Sequence, residues 1–197
     1  VVLEALAYFD SNGNLIPRLA AEIPEPSPDG LSVTWKLRQD VKWHDGTPFT
    51  ARDVKFTYDA VMSDKVESVR KADFAAIAGI EVVDDRTFVV TLTGPNCTIW
   101  GNAFASLYPL PAHKYAADFS DFMTSDFNFT PDIGSGPYLY EERSPGEYVR
   151  FKANPLYYLG EPRIPTWIAR AVSISPSSTA RRVSSSVSPG RTSPSAW

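Results

Sequence analysis

The chain has 197 residues, 43% hydrophobic and 13% aromatic, enough apolar surface for a core and too much for a wholly disordered chain; its 17 Pro and 11 Gly fall far short of a collagen composition. A single cysteine, Cys97, excludes an internal disulfide and cannot by itself make a structural zinc site. The net charge of −4 argues against a nucleic-acid partner, and no apolar run reaches the roughly 18–20 residues of a membrane-spanning helix.

The charge is unevenly spread. Residues 161–197 hold one acid, Glu161, and five arginines, Arg163, Arg170, Arg181, Arg182 and Arg191; that balance of +4 leaves −8 on residues 1–160. Past Trp167 the only aromatic is Trp197, and Ser, Pro, Arg and Thr dominate. Such a stretch has too little apolar surface to offset the entropy of ordering it, so folding is expected over 1–170 and a tail beyond. The chain opens at Val1 with no initiator Met and no basic-then-apolar leader.

In chain order, the apolar run Val2–Phe9 suits a short helix or the entry to a strand, and Ser11-Asn-Gly-Asn14 suits a turn. Pro28-Asp29-Gly30 turns into Leu31–Leu37, where Leu31, Val33, Trp35 and Leu37 alternate with polar residues at the period of a half-buried strand. Val41-Lys-Trp43 repeats the alternation before the turn His44-Asp45-Gly46. Thr50 is placed to cap a helix, with Asp53 in its first turn where the helix dipole favours an acid. The spacing of Val54, Tyr58, Val61 and Met62 predicts that helix to Met62 with this stripe inward. A second helix is predicted over 66–76, then a hairpin of Ile80–Val83 and Thr87–Leu92 around Asp84-Asp85-Arg86. Residues 97–106 read as helical, Pro109 and Pro111 break them, and a short helix is predicted over 112–117. Residues 118–136 read as loop with a short helix. A final hairpin pairs Tyr138–Tyr140 with Tyr148–Phe151 across Ser144-Pro-Gly-Glu147.

Little of this carries chemistry. His44-Asp45, with Asp40 and Asp53 nearby, falls short of the three or four converging ligands a metal needs; His113 is far off in sequence, and an Asp-closed turn explains the pattern. Gly134-Ser-Gly136 lacks the Lys and spacing of a phosphate loop and leads into a strand rather than a helix. There is no Gly-x-Ser-x-Gly elbow and no Cys–His pairing, and 14 Asp and 9 Glu spread along the chain single out no pair. The expectation is no catalytic residue, no metal and no cofactor. Trp100, Phe104, Tyr108, Phe119, Phe122, Phe127 and Phe129 crowd into thirty residues; core packing accounts for most of them, with one or two left to line a cleft for a small amphipathic ligand.

The block from Trp35 to Asp59, Trp-Lys-Leu-Arg-Gln-Asp-Val-Lys-Trp-His-Asp-Gly-Thr-Pro-Phe-Thr-Ala-Arg-Asp-Val-Lys-Phe-Thr-Tyr-Asp, closely resembles the signature of the extracytoplasmic solute-binding proteins of peptide and nickel ABC importers, solute-binding family 5. Leu15-Ile-Pro-Arg-Leu-Ala-Ala-Glu22 with Pro28-Asp-Gly30, Gly134-Ser-Gly-Pro-Tyr138, and Phe151-Lys-Ala-Asn-Pro-Leu-Tyr-Tyr158 resemble further motifs of that family in its order. The resemblance implies an α/β (mixed α+β) chain: a periplasmic-binding-protein-like type II lobe with the family's additional subdomain, incomplete. It implies that residues 1–135 are that subdomain, 136–172 a partial return into the first lobe, and 173–197 a Ser/Pro/Arg-rich tail, disordered or frame-shifted.

The implied function is capture of an oligopeptide, dipeptide or similar small solute for an ABC permease, by a monomer with no nucleic-acid partner. The implied location is periplasmic or extracytoplasmic, with a lipid anchor in the full-length protein. The rivals are a fragment that binds nothing and, from another class, a peptide-acting hydrolase. The resemblance marks Trp100 and Phe104 as ligand-binding, because their segment can face the cleft, and gives His44-Asp-Gly46 and Thr50–Asp53 structural work.

Overall fold

The computed structural model describes residues 2–96, 99–105, 107–128 and 130–170, with the backbone alone at 100–102. The expected tail over 173–197 lies outside the described residues. The elements are β1 (Ala7–Phe9), β2 (Leu15–Pro17), β3 (Ser32–Lys36), α1 (Ala51–Met62), β4 (Ile77–Val82), β5 (Thr87–Leu92), α2 (Ile99–Phe104), β6 (Tyr138–Ser144), β7 (Tyr148–Ala153) and β8 (Thr166–Arg170). Short 3-10 turns occupy Lys71–Phe74, Ala112–Lys114 and Asp126–Asn128. The strands make a β1-β2 ribbon and two antiparallel sheets, ordered β3-β5-β4 and β6-β7-β8.

The alternation in β3 works as its period demands: Val33, Trp35 and Leu37 are buried while Thr34 and Lys36 are exposed. Leu31, assigned to the same stripe, precedes the strand and stays exposed. Trp35 is the centre of the core, with Phe88 across the ladder at 6.4 Å and Phe104 of α2 at 5.1 Å. Full burial of side chains of this kind stabilises the fold by about 1.5–3 kcal/mol each. The hairpin β4-β5 forms around the expected Asp84-Asp85-Arg86 turn.

Helix α1 starts and stops where its sequence places it. The Asp53 carboxylate accepts hydrogen bonds from the Thr50 N–H at 2.8 Å and the Thr50 hydroxyl at 3.2 Å, closing the first turn. Val54 and Tyr58 are buried, and the Tyr58 hydroxyl donates to the Ile77 carbonyl at 3.1 Å, fastening α1 to β4. Thr57 receives the Leu110 N–H at 2.8 Å and Asp53 receives the Ala112 N–H at 3.1 Å. Residues 110–112 are thereby strapped along α1.

Other expectations are corrected. The helix predicted over 66–76 is reduced to the 3-10 turn at Lys71–Phe74. Val69 is fully exposed, which breaks the apolar face, and the Ser68 hydroxyl accepts the Arg70 N–H at 3.2 Å, a local bond that competes with helix formation. The helix predicted over 112–117 stops at Lys114, because the Ala116 N–H turns to the Asp121 carboxylate at 2.9 Å. The run 2–9 resolves as a strand at its end, and the apolar stretch near residue 100 is helical over Ile99–Phe104. Strand β8 was not anticipated from its residues: four of its five are exposed, which leaves no alternation to read.

Candidate functional site

The site grows from the first strand ribbon. Tyr8 of β1 sits opposite Ile16 of β2, and beyond that register the Arg18 N–H donates to the Leu6 carbonyl at 2.9 Å. Arg18 and Tyr8 are therefore diagonal neighbours, close enough for their side chains to meet; the guanidinium carbon lies 4.3 Å from the Tyr8 ring centre. Together with Leu3, Glu4, Ala5, Ala7, Ala105 and Tyr108 they line a depression of about 210 Å³. Ala5, Ala7 and Ala105 leave it room, while the half-exposed rings of Tyr8 and Tyr108 form its rim. Tyr108 is carried there by the strap along α1, two residues before Leu110.

Beneath the depression a polar network holds Glu4. Its carboxylate accepts the Tyr157 hydroxyl at 2.6 Å and the Tyr158 hydroxyl at 2.8 Å, and Arg18 Nε lies at 3.9 Å. Burial, reinforced by the adjacent Glu4, pushes both phenols well above their ordinary value, so both remain protonated donors. The Tyr158 ring also takes the Arg38 guanidinium, its carbon 4.9 Å from the ring centre.

A second junction joins Val2 and the His44 turn to the segment Gly134–Gly136. The His44 N–H donates to the Gly134 carbonyl and the Gly136 N–H to the Val2 carbonyl, each at 2.8 Å. His44 Nε2 and the Asn154 amide both reach the Gly136 carbonyl, at 2.9 and 3.3 Å. Gly134-Ser-Gly136 is thus a packed joint between segments more than 90 residues apart. Because Nε2 faces a carbonyl it carries the proton, and Nδ1 is buried with no partner among the described residues.

Burial holds the His44 pKa below 6.5, with the Gly136 carbonyl and the Asp45 charge opposing. The folded state therefore resists protonation more than the unfolded chain does. Its contribution to stability is complete above pH 6.5 and is lost as pH falls through the folded value. The midpoint of urea unfolding is expected to drop as pH is lowered below 6.5, and His44→Gln, which keeps a donor for Gly136 without titrating there, is expected to flatten that drop. An equal drop in the variant would contradict this assignment.

The residues singled out in sequence are dispersed. His113, remote from His44-Asp45 in sequence, reaches the Asp45 carboxylate with Nε2 at 2.8 Å. Among the described residues no three His, Cys, Asp or Glu side chains converge as a metal group. Phe104 is fully enclosed against Trp35 and offers a ligand no surface; it backs α2 from the core side. Trp100 lies on the same helix, whose next residue, Ala105, lines the depression. Phe127 is buried with Tyr115, and Phe122 stacks on Tyr115 at 4.9 Å, while Phe129 lies outside the described residues. Sequence reasoning missed Glu4, Tyr8 and Arg18, and held Tyr108 only as one of the crowded aromatics from which a cleft could draw one or two. The available signal was Glu4 itself, a lone charge inside an otherwise apolar run.

Fold and site together define the class: the periplasmic-binding-protein type II architecture. Over 87% of this chain the structure matches the oligopeptide-binding protein AppA of Bacillus subtilis in complex with a nonapeptide, at a TM-score of 0.81 and 28% identity. It matches NikZ of Campylobacter jejuni in complex with Ni(L-His) at a TM-score of 0.78 and 36% identity. In both cases the match covers 34% of the other chain.

The chain belongs to the bacterial extracellular solute-binding proteins, family 5, whose middle-region profile matches residues 14–185. A putative ABC transporter peptide-binding protein of Brucella ovis is 36% identical over 165 residues, 83% of this chain and 31% of that protein. The sequence of the Bacillus subtilis AppA is 31% identical over 162 residues, 82% of this chain and 30% of that protein. The chain thus spans about a third of the length of these relatives. Among the described residues no helix is long and apolar enough to cross a membrane.

Proposed function

We propose that this chain is part of the substrate-binding component of an ABC importer and captures an oligopeptide, dipeptide or similar small solute for a permease. The observation that carries the reading is the structural match to an oligopeptide-binding protein in complex with a peptide, joined to family membership over most of the chain. The depression rimmed by Tyr8 and Tyr108 is this chain's share of the ligand surface, and α2, the helix that carries Trp100, ends next to its lining residue Ala105. Residues 1–135 are the additional subdomain of the bilobed protein and 136–172 its return into the first lobe. The protein works outside the cytoplasmic membrane, lipid-anchored at full length, as a monomer. Capture is non-covalent, without hydrolysis.

An open, one-sided depression buries less of a ligand than the 70–90% typical of a formed pocket. Tetra-alanine should therefore bind the 197-residue chain with a Kd on the order of 1 mM or weaker. NMR titration is expected to move the resonances of Tyr8, Arg18 and Tyr108, with the peptide recovered intact. Cleaved peptide would favour the hydrolase; no shift at saturating peptide, the inert fragment; micromolar binding would contradict the one-sided site.

A further inference from the structure

We propose that Asn12 is a modification site: its side-chain amide is lost spontaneously through a cyclic imide closed by the Gly13 nitrogen, and the acid that results loosens the ribbon carrying Tyr8 and Arg18. The inference goes beyond the function proposed above and holds whatever solute the chain takes.

The turn Ser11-Asn-Gly-Asn14 joins β1 to β2, and all four of its residues are exposed. Of the asparagines in the chain, Asn12 alone precedes a glycine. Ring closure needs the nitrogen of the next residue to reach the side-chain carbonyl carbon, Cγ. A side chain on that next residue obstructs the approach, and Gly13 has none. A Cβ built on Gly13 would meet nothing within 4 Å, so the tip is open to the water and base the reaction needs. The Asn12 side-chain amide makes no hydrogen bond among the described residues. Other asparagines are restrained. Asn14 Nδ2 donates to the Asp10 carboxylate at 3.1 Å and Asn128 Nδ2 to the Phe122 carbonyl at 2.6 Å. Asn154 is buried and precedes Pro155, whose nitrogen carries no proton.

The Gly13 N–H donates to the Asp10 carbonyl at 3.1 Å and must leave that bond to react. The ribbon pairs only three residues on each strand, so its exposed tip opens at little cost. The freed nitrogen gives its proton to solvent base and attacks Asn12 Cγ. The N–Cγ bond forms, the Cγ–Nδ2 bond breaks, and ammonia leaves. Water then opens the imide at either of its two carbonyls. One product is aspartate; the other is isoaspartate, whose main chain runs through the former side chain and is one carbon longer. Either way a second carboxylate arrives beside Asp10, whose own carboxylate accepts the Asn12 N–H at 2.9 Å and the Asn14 N–H at 2.8 Å. Hydrogen bonds, those from Asn14 foremost, hold Asp10 below the ordinary carboxylate range, so it is ionised and repels the newcomer. The turn sets the register of a hairpin, and Tyr8–Ile16 is the second pair from it. A longer main chain at residue 12 therefore disturbs Tyr8 and, through its ring, the Arg18 guanidinium above it.

The test is incubation of the 197-residue chain in mildly alkaline buffer, followed by peptide mapping with mass spectrometry and by NMR of Tyr8 and Arg18. Asn12 should show the mass gain of an amide turned acid about tenfold or more faster than any other asparagine, because its ring closure is intramolecular and unobstructed. Its product should separate into aspartate and isoaspartate peptides, and the Tyr8 and Arg18 resonances should split into parent and aged sets. Asn12→Gln, which must close a larger ring, should stay unmodified over the same time and keep a single set of resonances. Faster conversion at another asparagine would overturn the assignment, as would an intact Asn12 in the folded chain after the urea-unfolded chain has reacted. Conversion of Asn12 with the Tyr8 and Arg18 resonances unmoved would overturn the loosening of the ribbon.

Discussion

Gly134→Ala is expected to destabilise the chain by about 3 kcal/mol and to lower its melting temperature by roughly 6–12 °C, read by calorimetry. A methyl group at this position would overlap the Val2 carbonyl oxygen, its carbonyl carbon and the Val2 side chain. Relief by movement is blocked on both sides. The Val2 carbonyl is the acceptor for the Gly136 N–H, and the Gly134 carbonyl is the acceptor for the His44 N–H. Any shift that makes room breaks one bond or the other and leaves buried groups unpaired. Gly79→Ala is the control: an added Cβ there meets nothing within 4 Å, and its melting temperature should stay close to that of the parent. A Gly134 variant as stable as the Gly79 variant would show that the joint between Val2 and Gly134 is loosely packed.

Asp53→Ala is expected to cost about 2–4 kcal/mol in urea unfolding at neutral pH. The carboxylate is buried, and its two oxygens serve different segments, Oδ2 the Thr50 cap of α1 and Oδ1 the Ala112 N–H. Truncation frays the helix start and frees the strap that carries Tyr108 to the rim of the depression. Asp53→Asn keeps one acceptor oxygen and should lose about half as much. The Trp43 indole N–H lies near this carboxylate without a well-formed hydrogen bond and does not replace the lost acceptor. Burial raises the Asp53 pKa above 3.8, so the folded chain holds this proton more tightly than the unfolded one. That contribution is full below pH 3.8 and is lost as pH rises through the folded value. The alanine deficit should therefore grow as pH is lowered from 7 toward 4; a deficit that shrinks in acid would reverse the assignment.

Both sensitive positions belong to motifs legible in the sequence, but what they do was only partly legible. Thr50–Asp53 was readable as a helix start because capping is local: the donor and acceptor are three residues apart. The second partner of Asp53, Ala112, is 59 residues away and left no trace in the pattern. Gly134-Ser-Gly136 resembled a family motif and was recognisable as unsuited to phosphate. That its glycine is required by the approach of Val2 depended on a contact between positions far apart in sequence.

Residue types and periods by themselves determined the strand expected over Leu31–Leu37 and found at Ser32–Lys36, the first helix and its stripe, and the two hairpins. These rest on interactions between residues two to four apart, so their period is written into the chain. Tertiary structure alone decided which aromatics serve the core. Phe104 and Tyr108 are four residues apart in one apolar run, yet the first is enclosed by Trp35 and the second is half exposed at the rim. It alone also brought Glu4 to Tyr157 and Tyr158, 153 and 154 residues away, and set the Arg18 guanidinium over the Tyr8 ring. Burial and pairing at such distances depend on how separate elements pack, and no local periodicity encodes that.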